Sequence, residues 1–365
     1  MREGFPRAAV LVAIAIVAAA CGSKGSGDGG TSGGGGGGVP ITGAGSTFAA
    51  PMYQAWAASF KTVEPGAKVN YQAIGSGGGV QQFTAKTVQF GATDVPLQDA
   101  DIQAITDKNY IEFPTVLGAV VVAYNVQGID TALKLDGPTV ANIFLGKITT
   151  WNDPAIAAQN AGVQLPNTPI TLDYRADESG TTAVFTGWLS DVSPDWKSQV
   201  GSGKAVQWPT GKGGNGNDGV AALVSQTNGS VGYLSYDFAV SAQLGIADIK
   251  APDGTYVAPS VASITAAGGG LSFPITPDTN ILNSSTSGAY PIASTTYVLI
   301  YTDQTDQAKA QTLVDFWTWS LTTGQAAAKT VNYAPLPSAV AQGSLAEVKK
   351  IVVNGTPVTA SAGST

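Results

Sequence analysis

An α/β fold in two domains is what this sequence predicts, and three observations carry the expectation. After Val39, β-rich runs alternate with amphipathic segments: Lys68 to Ile74, then Gln81 to Lys86, then Val88 to Ala92. The chain has 365 residues, more than the roughly 250 to 300 at which a single hydrophobic core stops growing. Two strongly apolar runs, Val116 to Tyr124 and Tyr297 to Tyr301, read as strands buried on both faces, which suits parallel sheets inside covered layers; the crossings between domains are placed near them.

Between these strands the helix Phe48 to Phe60 carries Met52, Trp56 and Phe60 at four-residue spacing, a stripe read as core. With 44% apolar and 12% charged residues, the bulk of the chain folds rather than staying disordered. A formal net charge of -7 gives no field that would draw nucleic acid or an anionic membrane surface. The sequence contains no histidine, which removes Ser-His-Asp and Cys-His catalysis and His-ligated zinc. Its one cysteine, Cys21, excludes an intramolecular disulfide, so stability must come from the core.

The first 20 residues read as a signal peptide: Arg2 and Arg7, then the apolar run Ala8 to Ala20, too short to span a bilayer. The run ends in Ala18-Ala19-Ala20-Cys21, which resembles a bacterial lipobox, so Cys21 is expected to be acylated as the first mature residue. Residues 22 to 38 are Gly, Ser, Asp, Thr and one Lys, with no side chain to pack; 21 to 38 is therefore expected to be a lipidated cysteine and its flexible tether.

Three segments share one design, in which a strand ends, a short Gly, Ser or Thr stretch follows, and a helix begins: Gly45-Ser46-Thr47-Phe48, Gly75-Ser76-Gly77-Gly78-Gly79 and Ser179-Gly180-Thr181-Thr182. A helix N-terminus exposes N–H groups without internal partners and a partial positive charge, and hydroxyls add donors. Arg175 lies four residues before Ser179, and one Arg among many hydroxyls points to oxyanion capture by local dipoles and a single guanidinium. The stretch Gly213 to Gly219 reads as a tight loop, with Asp218 capping a helix that starts near Gly219.

From about Ile41 to past Val348 the sequence resembles the periplasmic phosphate-binding protein of the phosphate-specific ABC transporter. The resemblance is carried by Gly43-Ala44-Gly45-Ser46-Thr47-Phe48, Tyr71 to Gly78, Phe90 to Leu97, Phe144-Leu145-Gly146-Lys147-Ile148, Arg175-Ala176-Asp177, Ser179-Gly180-Thr181, Gly213 to Gly219 and Gly232-Tyr233. It implies a two-domain, hinge-closing type II periplasmic-binding-protein fold, each domain an α/β sandwich, with the ligand in the cleft. We expect residues 39–120 with 292–365 to form the first domain and 121–291 the second.

By matching motif, the family's phosphate contacts fall on Thr47, Phe48, Ser76, Asp94, Arg175, Ser179, Gly180 and Thr181, with Asp177 orienting Arg175. Two positions depart from the family pattern: Gly77 stands where many members have Ser, and Glu178 where many have Gly, a carboxylate tolerable only if it points to solvent. The implied function is an extracytoplasmic, lipid-anchored, monomeric protein that captures inorganic phosphate for the membrane permease subunits of an ABC importer, without cofactor or metal. Sulfate, another tetrahedral oxyanion, is the alternative ligand; Asp94 argues against it, because a carboxylate accepts a hydrogen bond only from a ligand that carries a proton. An enzyme is not expected, since Ser179 has no identifiable base partner.

Overall fold

The computed structural model describes residues 39–364. The signal peptide, Cys21 and the tether lie outside the described residues. The main sheet runs in the order Val69–Ala73, Ile41–Gly45, Phe90–Thr93, Ala293–Tyr301, Tyr110–Asn125, Ser230–Ser235, Thr171–Arg175, Lys212–Gly214, with the short strand Gly245–Ile246 also paired to Tyr110–Asn125.

The first three strands of that order are mutually parallel, and so are the last three. These two parallel wings are joined by the central strands Ala293–Tyr301 and Tyr110–Asn125, which pair with each other and with their outer neighbours in antiparallel fashion. Strand Tyr110–Asn125 serves both wings: residues 110–119 pair with Ala293–Tyr301, and residues 120–125 with Ser230–Ser235. The two apolar runs are therefore buried strands, as their sequence indicates, but they are not parallel ones. A strand covered on both faces is apolar along its whole length whichever way its neighbours run, so its composition carries no sign of direction.

Each wing has its own aromatic core. Met52, Trp56 and Phe60 of the helix Ala50–Phe60 are all fully buried, as the stripe predicts. Trp317 lies among Tyr53, Phe90 and Phe113, with ring centroids 5.1 to 5.9 Å from its own. Under the second wing, Tyr233 stacks on Phe185 at 4.5 Å and on Trp208 at 5.3 Å. Buried aromatic rings contribute the largest apolar areas available to a core, so these clusters fix the strand ends above them. With the wings packed together, the described residues form one compact unit.

Candidate functional site

The parallel wings explain where the polar residues go. In a strand, turn, helix unit the turn falls at the strand's carboxyl end, and the helix that follows points its N-terminus there. Strand Ile41–Gly45 leads into Ser46-Thr47-Phe48 and helix Ala50–Phe60; Val69–Ala73 leads into helix Ser76–Thr84; Thr171–Arg175 leads into helix Gly180–Val192. The three turns singled out in the sequence are all helix entries.

Their backbone donors are buried and unspent. Among the described residues, no protein group accepts from the backbone N–H of Thr47, Phe48, Ser76, Gly180 or Thr181, while all five residues are buried. Burying an N–H without a partner is costly, so five such groups in one place call for an acceptor. Ser179 caps the third helix by accepting from Thr182 N at 3.2 Å. Gly180 is required by proximity, since a Cβ there would lie 2.4 Å from Ser76 Oγ and 2.6 Å from Asp94 Oδ2.

Arg175 is buried at the end of its strand. Its Nε donates to Asp177 Oδ1 at 2.8 Å, its Nη2 to Asp177 Oδ2, and its Nη1 to Thr181 Oγ1 at 3.2 Å. Burial pushes the Asp177 carboxyl up, but the hydrogen bonds and charge of Arg175, with the Gly216 N–H at 3.0 Å, outweigh it and leave Asp177 below the usual carboxylate range. The expected pairing of Asp177 with Arg175 is thus present in the geometry.

Asp94 follows strand Phe90–Thr93 and is 2% exposed. Ser46 Oγ donates to its Oδ1 and Ser76 Oγ to its Oδ2, the latter at 3.3 Å. Burial nevertheless pushes the Asp94 carboxyl up to about 7, against the lowering effects of Ser46, Arg175, Ser76 and Lys204. Lys204 is a second cation near the site, paired with Asp101 at 2.6 Å.

The structure therefore gathers Thr47, Phe48, Ser76, Asp94, Arg175, Ser179, Gly180 and Thr181 in one place, with Asp177 beside Arg175. It adds three residues that sequence reasoning missed: Ser46, which bonds Asp94; Lys204; and Asn217, whose amide reaches both Thr47 and Thr181. The loop Gly213 to Gly219 holds the missed signal, because it is a fourth helix entry. Its helix is Gly216–Gln226, so it begins before Gly219, and Asp218 lies in the first turn and is not the cap. The Gly216 backbone adopts φ of 72°, which lets the helix begin directly after the turn.

Of the two departures from the family pattern, Glu178 is exposed, as the expectation for a carboxylate at that position requires. It also lies directly over Gly77, where a Cβ would come within 2.2 Å of Glu178 Oε2 and 2.4 Å of Glu178 Cβ.

A model of the PBP superfamily domain matches residues 22–323. The phosphate-binding protein PstS of Xylella fastidiosa is 40% identical over 302 residues, covering 82% of either chain. That of Haemophilus influenzae is 41% identical over 305 residues, covering 82% of this chain and 90% of its own. A solved high-affinity periplasmic phosphate-binding protein, bound with phosphate, superposes with a TM-score of 0.67 at 22% identity over 83% of this chain and 92% of its own. That likeness carries the fold, which is of the type II periplasmic-binding-protein class. Kinship at this level and over this length assigns a binding role and not a catalytic one, and the chain belongs to the PBP superfamily and, within it, to the family of the PstS phosphate-binding proteins.

Proposed function

We propose that this protein captures inorganic phosphate outside the cytoplasm and delivers it to the membrane permease of an ABC-type importer. The observation that carries the reading is the set of five buried backbone N–H groups without acceptors among the described residues, converging with the Arg175 guanidinium and the hydroxyls of Thr47, Ser76, Ser179 and Thr181. Donors in that number suit a tetrahedral oxyanion, and backbone dipoles with one guanidinium hold it without a basic field. Asp94 favours phosphate over sulfate, because near neutral pH phosphate still has a proton to give to a carboxylate.

In this reading residues 39–120 with 292–365 form one domain and 121–291 the other, and phosphate bridges them across the turns of both wings. Binding then closes a hinge. Cys21 carries the lipid that keeps the protein at the outer face of the cell membrane, and Cys21→Ser should release it from membranes after a high-salt wash.

Isothermal titration of the purified protein with phosphate, sulfate and arsenate tests the proposal. Phosphate should bind one to one, with a smaller scattering radius at saturation and no turnover of phosphoesters. A protein that binds sulfate as tightly as phosphate, or neither, would refute it.

A further inference from the structure

Asn217 is the second residue of helix Gly216–Gln226 and is fully buried. Its Oδ1 accepts from the backbone N–H of Ser235 at 2.9 Å. That bond settles which end of the amide is which: with the oxygen held by Ser235, the nitrogen must face the other way. Nδ2 donates to Thr47 Oγ1 at 2.8 Å and to Thr181 Oγ1 at 3.3 Å. The amide thus joins the two hydroxyls across the two wings, since Thr47 precedes the first-wing helix and Thr181 opens a second-wing one.

A hydroxyl has two lone pairs and one proton. Thr181 Oγ1 accepts from Asn217 Nδ2 and also from Arg175 Nη1 at 3.2 Å. Thr47 Oγ1 accepts from Asn217 Nδ2 and also from the Asn217 backbone N–H at 3.3 Å. Both lone pairs of both hydroxyls are therefore taken, and each can act only as a donor toward any further partner. Neither donates to a protein group among the described residues. A free threonine hydroxyl could instead rotate to accept from a protonated ligand.

We infer that Asn217 is a positioning residue that locks the Thr47 and Thr181 hydroxyls as donors, so that the site presents only protons on that side and keeps Asp94 as its acceptor. The inference rests on the oxyanion reading above and deepens it. A ligand must then offer unprotonated oxygens to Thr47 and Thr181 and direct its proton to Asp94, so Asn217 sets the orientation in which a protonated oxyanion is held. A fully protonated or neutral isostere, with a hydroxyl in place of an oxygen on that side, would meet two donors that cannot turn.

A double-mutant cycle tests this. Asn217→Ala should weaken phosphate binding roughly tenfold or more in the wild-type background, where two charge-assisted hydrogen bonds lose their alignment. In the Thr47→Val/Thr181→Val background, where there is no hydroxyl to orient, the same change should cost less than about threefold. Equal losses in the two backgrounds would overturn the role and leave Asn217 as a packing residue. Asn217→Asp, of the same shape, keeps the fold but turns the donor into an acceptor that captures the hydroxyl protons. It should bind phosphate more weakly than Asn217→Ala, and wild-type affinity in that variant would also overturn the inference. Phosphate-free melting temperatures report any loss of fold independently. A wild-type protein that binds no phosphate would sink the oxyanion reading and this inference together, whereas wild-type binding with additive losses would sink this inference alone.

Discussion

Asp177 holds the Arg175 guanidinium along one edge, taking Nε on Oδ1 at 2.8 Å and Nη2 on Oδ2, while Nη1 is left to Thr181. Two parallel bonds to one carboxylate fix the plane of the fork as well as its charge. The Gly216 N–H, 3.0 Å from Asp177 Oδ1, steadies the carboxylate in turn. The loop that supplies Asn217 is thereby tied to Arg175.

Removing that fork should be costly. Arg175→Ala should weaken phosphate binding at least about tenfold, since hydrogen bonds between charged groups contribute roughly 1.5 to 3 kcal/mol each. Arg175→Lys should restore only part of the loss, because an ammonium has no planar fork for Asp177 to align. Titration calorimetry on the three forms measures this, and wild-type affinity in the lysine variant would show that the plane of the fork is irrelevant.

Gly77 and Glu178 compensate for one another. Gly77 N donates to the Glu178 carbonyl at 3.0 Å, a bond between the wings, and the Glu178 side chain occupies the place of a Gly77 side chain. Gly77→Ser alone should therefore push Glu178 aside, strain that bond and speed phosphate release. Gly77→Ser with Glu178→Gly should recover wild-type release, because the second change vacates the space that the serine needs. Stopped-flow release rates for the single and double variants check this; a single variant that behaves as wild type would show that the clash relaxes at no cost.

How much could be read in advance follows from what each feature depends on. The helix entries, the Met52-Trp56-Phe60 stripe and Arg175 near Ser179 were legible because they are local: they need only a few neighbouring residues. The antiparallel centre was not, since Val116 to Tyr124 and Tyr297 to Tyr301 are equally apolar in either direction. Asp218 was misread because Asp commonly caps helices, and only the positive φ of Gly216 moves the start forward. Asn217, Ser46 and Lys204 escaped because their partners are distant in sequence: Asn217 meets Thr47 across 170 positions. No pattern within a short window records such a contact.

Buried carboxyls give stability a pH dependence with a defined sign. Burial pushes Asp94 and Glu112 up to about 7 each and Asp237 to about 6. For these groups the folded state binds more protons than the unfolded chain at mildly acidic pH, so it gains stability as pH falls through the raised values. Asp177 acts oppositely, with a contribution present above the ordinary carboxylate range and lost only as pH falls through its lowered folded value. Phosphate-free protein should thus melt at a higher temperature at pH 5 than at pH 8. Asp94→Asn should show a smaller rise, and an identical rise in both forms would assign the effect to the other carboxyls that burial raises, Glu112 and Asp237 together with Glu64, Asp173 and Asp248.

Asp94 is also where phosphate and sulfate are expected to part. Its two oxygens already accept from Ser46 and Ser76, and its carboxyl, raised to about 7, is divided between charged and neutral forms near neutral pH. When it is charged, a ligand oxygen bearing no proton meets repulsion of roughly 4 kcal/mol for unit charges about 4 Å apart at an effective dielectric of 20. In the proposed reading phosphate would relieve this by donating its proton in a charge-assisted hydrogen bond, and sulfate has none to give. Asp94→Asn removes the charge and supplies an amide donor, so the phosphate-to-sulfate affinity ratio should fall at least about tenfold while the fold survives. In the wild-type protein the ratio should narrow as pH falls through the raised Asp94 value, because a protonated Asp94 can donate to sulfate. That slope should be shallower in Asp94→Asn, where no carboxyl titrates. Both constants, measured for both forms from pH 8.5 to 5.5 at fixed ionic strength, decide the matter: an unaltered ratio in folded Asp94→Asn would leave Asp94 as a residue that only braces the turns of Ser46 and Ser76.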